Sequence, residues 1–275
     1  MITRAELGRA AAKMRQGLGQ AEHEYAILCV LDGLSQTPLL GDTFCLKGGT
    51  ALRQLYYADW RHSVDLDFTV LPAFSADDLR HDLGRWFARV RALCGLQVSL
   101  LSIHRPNGAA RVRARFIGPL QHPSRLLLDL TLDEPVLLAP LRRDIVTGLY
   151  AGLSPRVLAY ALEEILAEKL RAILERGRSR DYYDVWRLLK EKCSDLDLST
   201  ARKAFRQKCK HRGLGVPAIE RFLLPRALEA AEAYWNRDLA GQVPNRDPPS
   251  WIQVVGELEP LLVAFLEQDP EGSGT

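Results

Sequence analysis

The chain has 275 residues, of which 47% are hydrophobic and 26% charged, so it is long enough for one large globular domain or two ordinary ones. Its apolar runs are shorter than the ~20 residues that span a bilayer, and the N-terminal segment lacks the features of a secretory signal. We therefore expect a cytoplasmic protein without a membrane partner, monomeric by default. Its five scattered cysteines form no CxxC pair, which favours reduced core thiols over a zinc site or disulfides.

Helical and strand patterns alternate through the first half of the chain. Apolar positions three and four apart indicate helices, and short runs rich in Val, Leu and Phe indicate strands. The segment "RPNGA" favours a hairpin, because Asn-Gly readily adopts positive φ. The predicted elements are a helix over 4–34, a strand over 43–49, a helix over 50–58 capped by Thr50, a strand over 64–70, a helix over 76–94 and three strands within 96–133.

The second half of the chain is helical in pattern. From Pro155 onward the strand signals stop, and "VLAYALEEILAEKLRAILERG" predicts a long amphipathic helix that ends at Gly177. The predicted fold class is therefore α+β, with a mixed-sheet domain over residues 1–140 and an all-α domain over 141–275. The further predicted helices cover 181–192, 199–212, 217–239 and 251–267.

Two short motifs follow each other in the predicted sheet. "GGT" at 48–50 lies at a strand-to-helix turn, where glycines allow a close approach of the backbone to a ligand and free N–H groups suit a phosphate. "DLD" at 65–67 lies on the next strand, where side chains alternate between faces. Asp65 and Asp67 therefore share a face, and Ser63 is expected to share it too. The alternative for the glycine pair is a purely structural role, a tight turn that binds no ligand.

Two carboxylates on one strand face repel each other, and a divalent cation between them offsets this cost. Mg²⁺ is commonly held by one or two carboxylates together with substrate phosphates. The motifs therefore predict a Mg²⁺-dependent nucleotidyl-transfer site with Asp65 and Asp67 as metal ligands. Asp129, an acid inside an apolar strand, is the candidate third ligand; exposure on an edge strand is the alternative.

Basic residues are concentrated in two segments. "RVRAR" at 111–115 places three cations on one strand face, and "TARKAFRQKCKHR" at 200–212 contains basic residues without an acid. Both segments suit a polyanion such as RNA, and both also suit a solvated surface. The candidate RNA contacts are Arg111, Arg113, Arg202, Lys203, Arg206, Lys208 and Lys210.

Two longer blocks carry a family resemblance. "LKGGTALRQLYYADWRHSVDLDF" at 46–68 and "LEEILAEKLRAILERGRSRDYYDVWRLL" at 162–189 resemble the signatures of the AbiEii/AbiGii nucleotidyltransferase toxins, which include the MenT-type toxins. The matching positions in the first block are Gly48, Gly49, Thr50, Leu52, Arg53, Tyr56 or Tyr57, Arg61, Ser63, Asp65, Leu66, Asp67 and Phe68.

The resemblance implies a polymerase-β-like nucleotidyltransferase domain and a helical domain that completes the active site and binds RNA. It implies that Asp65 and Asp67 bind Mg²⁺, that Lys169 contacts the triphosphate, and that Asp181 is essential. Asp181 alternatively caps the following helix, and Lys169 alternatively lies on the surface. The implied nucleotide-binding residues are Lys47, Gly48, Gly49, Thr50, Ser63 and Lys169.

The predicted function is transfer of a nucleotide from an NTP, with CTP or UTP favoured, to the 3′ end of tRNA, which would block aminoacylation and translation. The resemblance also implies a cognate antitoxin, with a kinase-like type that phosphorylates Ser63 as one possibility. Two alternatives remain from the sequence: nucleotidyl transfer to protein side chains, and a non-catalytic module that binds nucleotide or RNA.

Overall fold

The computed structural model describes residues 1–145, 147, 150, 152–215, 217–244 and 247–267. The chain forms two compact units, one from Met1 to Tyr160 and the other from Ala161 onward. The predicted α+β class with a mixed sheet is confirmed at the level of its elements, because strands and helices build the first unit and helices build the second.

A seven-stranded mixed sheet forms the centre of the first unit, in the order β3-β4-β5-β2-β1-β7-β6. β1 pairs antiparallel with β2 and parallel with β7, whereas β2 pairs parallel with β5. The central position of β1 and β2 places both predicted motifs in the middle of the sheet. The strands are β1 (Phe44–Lys47), β2 (Asp65–Val70), β3 (Gln97–His104), β4 (Ala109–Ile117), β5 (Pro123–Thr131), β6 (Leu141–Asp144) and β7 (Arg156–Ala159).

On β4 and β5, buried residues alternate with more exposed ones and form an apolar face of the sheet. Val112, Phe116, Leu128 and Phe68 are buried on this face, where the rings of Phe68 and Trp86 lie 6.0 Å apart. The indole N–H of Trp86 donates to the carbonyl of Val30 at 2.8 Å, which ties two helices together beneath the sheet. The opposite face of β4 and β5 carries exposed polar side chains.

Helices of the first unit differ in detail from the predicted ones. The helix predicted over 4–34 is two helices, because Arg15 adopts a left-handed conformation with φ 52° and ends the first. The helix predicted over 50–58 begins at Gly48 and continues as a π-helix, Leu52–Tyr56. The helices are α1 (Arg4–Met14), α2 (Leu18–Ser35), α3 (Leu40–Thr43), α4 (Gly48–Ala51) and α5 (Leu79–Cys94).

The boundary between the units lies further along the chain than the predicted residue 140. Within the segment predicted to be all-α, β6 and β7 form a hairpin, and β7 joins the sheet beside β1. Val157 and Ala159 are buried, so the short apolar run before the long helix is a strand. Hydrophobic periodicity does not distinguish a buried strand of four residues from a helical turn, which explains the difference.

The described regular elements of the second unit are all helices, two of them short 3₁₀ turns at Cys193–Asp195 and Ile219–Arg221. Among the described residues, no helix has the length and apolar character needed to cross a membrane. The α-helices are α6 (Leu162–Arg176), α7 (Ser179–Glu191), α8 (Leu198–His211), α9 (Pro225–Leu239) and α10 (Trp251–Glu267).

Candidate active site

A row of four charged residues crosses the centre of the sheet. Asp67 on β2 lies opposite Lys47 on β1 and Asp129 on β5, and Asp129 lies opposite Arg111 on β4. Arg111 Nε donates to Asp129 Oδ1 at 2.8 Å. This hydrogen bond raises the pKa of Arg111, and the charges of Asp65 and Asp67 raise it further. The aspartates are thus flanked by a cation on each side, which offsets their mutual repulsion.

The glycine pair brings the turn after β1 against the acidic strand. Gly48 has φ +70°, and a Cβ at this position would lie 2.6 Å from Asp67 Oδ2. A Cβ at Gly49 would lie 3.0 Å from both Ser63 Oγ and Arg61 Nη2. Only residues without a side chain therefore allow this approach. The structure brings together the predicted residues of "GGT" and "DLD".

Thr50 and Ser63 occupy positions that differ from the predicted ones. Thr50 does not cap a helix; it is buried, and its hydroxyl donates to the carbonyl of Asp65 at 2.5 Å. Ser63 precedes β2, which begins at Asp65, so it does not share a strand face with the aspartates. It is nevertheless partly exposed and lies beside Gly49. Thr50 holds the turn to the strand, whereas Ser63 lies at the edge of the site.

The donor set for a metal consists of two carboxylates. Asp65 and Asp67 are two residues apart on β2, face the same side and are partly exposed. Within the described part of the chain, no three His, Cys, Asp or Glu side chains are grouped to hold a metal ion. Asp129, the predicted third ligand, is instead engaged by Arg111. A pair of carboxylates fits Mg²⁺ that takes its remaining ligands from water and substrate phosphates.

A second ionic cluster lies in the helical unit. Lys169 Nζ lies 3.1 Å from Asp181 Oδ1 and 2.8 Å from Asp184 Oδ2, and all three residues are buried. Arg176 adds a second cation on Asp181, with its Nε 2.9 Å from Oδ2. Asp181 does not cap α7, because the N-cap is Arg178 and the helix begins at Ser179. Lys169 is not a surface lysine; it neutralises two carboxylates inside the unit.

Comparison with known proteins then assigns the family. The model of the AbiEii nucleotidyltransferase toxins, from type IV toxin–antitoxin systems, matches residues 30–257. The chain belongs to this family. The matched segment includes the charged row on the sheet and the cluster around Lys169. The protein is therefore a nucleotidyltransferase toxin, and membership of a toxin–antitoxin system implies a cognate antitoxin.

A solved structure supports the fold of this AbiEii protein. MenT4, a nucleotidyltransferase toxin from Mycobacterium tuberculosis, is 20% identical and has a TM-score of 0.67; the match covers 98% of this chain and 91% of MenT4. None of the curated protein sequences matches this chain.

Glu24 is a structural residue of the AbiEii site that the sequence did not reveal, and it precedes the segment that the family model matches. Its carboxylate accepts from Arg53 Nη2 at 3.1 Å and lies 3.6 Å from His62 Nδ1. Arg53 also donates to the carbonyl of Trp60 at 3.3 Å. Burial lowers the pKa of His62 to about 4, so its ring is neutral at pH 7. Glu24 thus connects α2, the π-helix and the loop that leads into β2.

The basic segment of α8 divides into buried and exposed residues. Lys208 is fully buried and lies 2.9 Å from the equally buried Glu164, and Arg202 is 9% exposed and donates to the carbonyl of Phe265. These two predicted RNA contacts therefore belong to the interior of the unit. Lys203 and Lys210 are exposed and seven residues apart, which places them on one helix face, and Arg206 is partly exposed.

Gly48→Ala is expected to reduce nucleotide transfer at least about 10-fold and to destabilise the protein by about 1–2 kcal/mol. The new Cβ would force an L-residue into positive φ and displace the Asp67 carboxylate. Transfer of labelled nucleotide and urea unfolding measure the two effects.

Gly84→Ala is the matched control, because Gly84 lies within α5 and a Cβ added there would meet nothing within 4 Å. It should keep full activity and gain about 0.5–1 kcal/mol. Equal activity in the two alanine variants would contradict the role assigned to Gly48.

Proposed function

We propose that this nucleotidyltransferase toxin transfers a nucleotide from an NTP to the 3′ end of tRNA in a Mg²⁺-dependent reaction. The observation that carries the proposal is the close approach of the Gly48 turn to Asp67 on β2. It places backbone able to bind a phosphate beside carboxylates able to bind a metal. Blocked aminoacylation and inhibited translation would follow from an extended 3′ end.

In the first unit, some of the proposed site residues bind the metal and others bind the nucleotide. Asp65 and Asp67 hold Mg²⁺, which when bound neutralises phosphate charge and activates a hydroxyl. Gly48 and Gly49 present backbone to the triphosphate, and the Lys47 ammonium, 5.6 Å from the centre of the Tyr160 ring, is held at the same end of β1. Asp129 is kept in place by Arg111 and adds negative charge next to Asp67.

In the proposed reaction, the 3′ oxygen of the RNA attacks the α-phosphorus of the NTP in line with the bond that breaks. A new phosphodiester forms, pyrophosphate leaves, and the proton of the hydroxyl passes to solvent or to a nearby carboxylate. The chain's own contribution is to orient the triphosphate against the backbone of the turn and to hold negative charge beside the attacking oxygen.

We also propose Lys169 and Asp181 as participants, on the basis of the family resemblance. Lys169 is 8% exposed and already binds two carboxylates, so its ammonium is held in one position. The preference for CTP or UTP is proposed on the same basis. Exposed Lys203 and Lys210, with the partly exposed Arg206, are the proposed RNA contacts of the helical unit.

Ser63 is the proposed regulatory position. Its hydroxyl is partly exposed and lies beside Gly49, at the turn that is proposed to bind phosphates. A phosphate on Ser63 would bring a charge of about −1.5 to −2 to the place of the nucleotide phosphates. An antitoxin with kinase activity would thereby inhibit the toxin.

The test is incubation of the protein with Mg²⁺ and each of the four α-labelled NTPs, in the presence of tRNA, other cellular RNA or cell protein. We expect label in tRNA from CTP or UTP, and none after EDTA or after periodate oxidation of the tRNA 3′ end. Label found only in protein would show that protein, and not RNA, accepts the nucleotide. Binding of NTP without any labelled product would reduce the protein to a nucleotide-binding module.

A further inference from the structure

The exposed face of β4 and β5 is strongly basic. Arg111, Arg113 and Arg115 are exposed and alternate along β4 with buried apolar residues. Arg125 on β5, which the sequence did not single out, is also exposed and lies directly opposite Arg115. Four guanidinium groups therefore lie on one face of two neighbouring strands.

The sheet itself does not neutralise three of these charges across its strands. Like charges directly opposite each other destabilise an antiparallel pair, and Arg115 lies opposite Arg125. On β3, the residues opposite Arg113 and Arg115 are Ser102 and Ser99, which carry no charge. Asp129 forms its ion pair with Arg111. The cross-strand pairing of these arginines therefore leaves a basic face that suits a polyanionic ligand.

The acids of the candidate active site lie at one end of this basic face. Arg113 on β4 lies opposite Leu127 on β5, and Leu127 lies beside Asp65 on β2. Neighbouring strands are about 4.8 Å apart, and alternate residues of one strand about 6.7 Å. Arg113 is therefore about 10 Å from Asp65 across the sheet, and Arg115 and Arg125 lie farther along the same face.

We propose that Arg113, Arg115 and Arg125 form an arginine track that binds successive phosphates of the acceptor RNA and leads its 3′ end to Asp65 and Asp67. The proposal rests on the proposed function and adds the path of the RNA. Guanidinium groups bind phosphates bidentately, and the three arginines lie next to one another on one face of β4 and β5.

The arginine track recognises the RNA backbone and not its bases. The side chains directly opposite these arginines, Ser99, Ser102 and Leu127, provide hydroxyl and aliphatic groups, and the exposed ring of His104 lies farther along β3, opposite Arg111. Contacts to phosphates position a nucleic acid without reading its sequence. The choice among RNA species is therefore made elsewhere on the protein or by the shape of the RNA.

The test is the binding of fluorescently labelled tRNA to the full-length triple variant R113Q/R115Q/R125Q, without NTP and at several salt concentrations. We expect at least about 10-fold weaker binding. The slope of log binding constant against log salt concentration should become less steep by about 2, since each phosphate contact contributes about 0.7–0.9 to this slope. NTP binding, measured separately, should stay at the wild-type value. Two RNA stems of the same shape but different sequence should lose affinity equally.

The matched control is R4Q/R9Q/K13Q, which removes the same charge from exposed positions of α1 and should bind RNA as the wild type does. Equal losses in both triple variants would overturn the proposal, because net charge alone would explain them. Unchanged RNA affinity, weakened NTP binding, or a loss confined to one stem sequence would also overturn it. Because the assay contains no NTP, absence of transfer would refute the proposed function and leave the track testable.

Discussion

Asp67→Asn is expected to lower nucleotide transfer by about 1,000-fold or more without loss of stability. The amide keeps the shape of the side chain but removes the charge that lies between Lys47 and Asp129 in the centre of the sheet. Because Asp67 is partly exposed, we expect the free energy of unfolding to change little. Labelled-nucleotide transfer and the urea midpoint measure the two quantities.

Asp129→Asn is the matched control, one strand away on the same row. It removes the partner of Arg111, and both side chains of that pair are well exposed, so we expect a smaller loss of activity and less than about 1 kcal/mol of destabilisation. Equal losses in the two variants would make Asp129 a third metal ligand. Near-wild-type transfer by Asp67→Asn would refute the assignment of the metal site.

Lys169→Met is expected to destabilise the helical unit by about 3–5 kcal/mol. It removes the cation that the buried carboxylates of Asp181 and Asp184 share, whereas Arg176 still lies against Asp181. The family resemblance implies only a triphosphate contact for Lys169, whereas its burial between two carboxylates predicts a loss of stability as well. Urea unfolding of the full chain measures it.

The triple variant K169M/D181N/D184N separates stability from catalysis, because it replaces the three buried charges together and keeps the half-exposed Arg176. Replacing buried charges together is often close to neutral for folding. We expect it to regain most of the stability that Lys169→Met loses. If it also transfers nucleotide at the wild-type rate, neither Lys169 nor Asp181 takes part in the reaction. A folded but inactive triple variant would support their proposed participation.

The same cluster predicts how the destabilisation by Lys169→Met depends on pH. Burial alone would raise the pKa of Asp181, but Lys169 and Arg176 outweigh it and lower the pKa well below its usual value. A carboxylate with a depressed folded-state pKa stabilises the protein above its unfolded pKa of about 4 and loses this contribution as the pH falls below it.

In Lys169→Met, burial acts on Asp181 without the charge of Lys169, so the folded-state pKa of Asp181 rises and its protonation then favours the folded state. The difference in unfolding free energy between wild type and variant should therefore shrink from pH 7 to pH 5. Urea titrations at the two pH values test this, and a constant difference would contradict it.

The sequence predicts that the glycine turn adjoins the strand with the two aspartates, because the signals for both are local. A glycine pair after a strand and two acids at alternate positions on the next strand define conformation and facing without knowledge of distant residues. What it misses depends on tertiary packing. Lys208 and Arg202 look like Lys203 in a basic run, and only the positions of Glu164 and Phe265 show that they are buried.

Glu24 and the row through Asp129 are missed for a related reason. Glu24 contacts Arg53, which lies 29 residues away in the sequence, and no local pattern indicates that Arg53 and His62 share this carboxylate. The sequence places Asp129 near the other acids, but the strand register decides that Arg111 lies on its other side. The spacing of two residues along a strand predicts whether their side chains point to the same face of the sheet. Which residue lies opposite them on the next strand depends on the strand order and register.

The position of β7 determines where this chain can be shortened. Tyr160, which follows β7, donates its N–H to the carbonyl of Leu46, accepts from Tyr56 at its own carbonyl, and shares a hydrogen bond of 2.6 Å with Thr69. A fragment ending at residue 140 would lack these bonds and would expose the unpaired edge of β1, the strand that leads into the glycine turn. An unpaired edge of this kind promotes aggregation, so a soluble fragment that contains the glycine turn must extend at least to Tyr160.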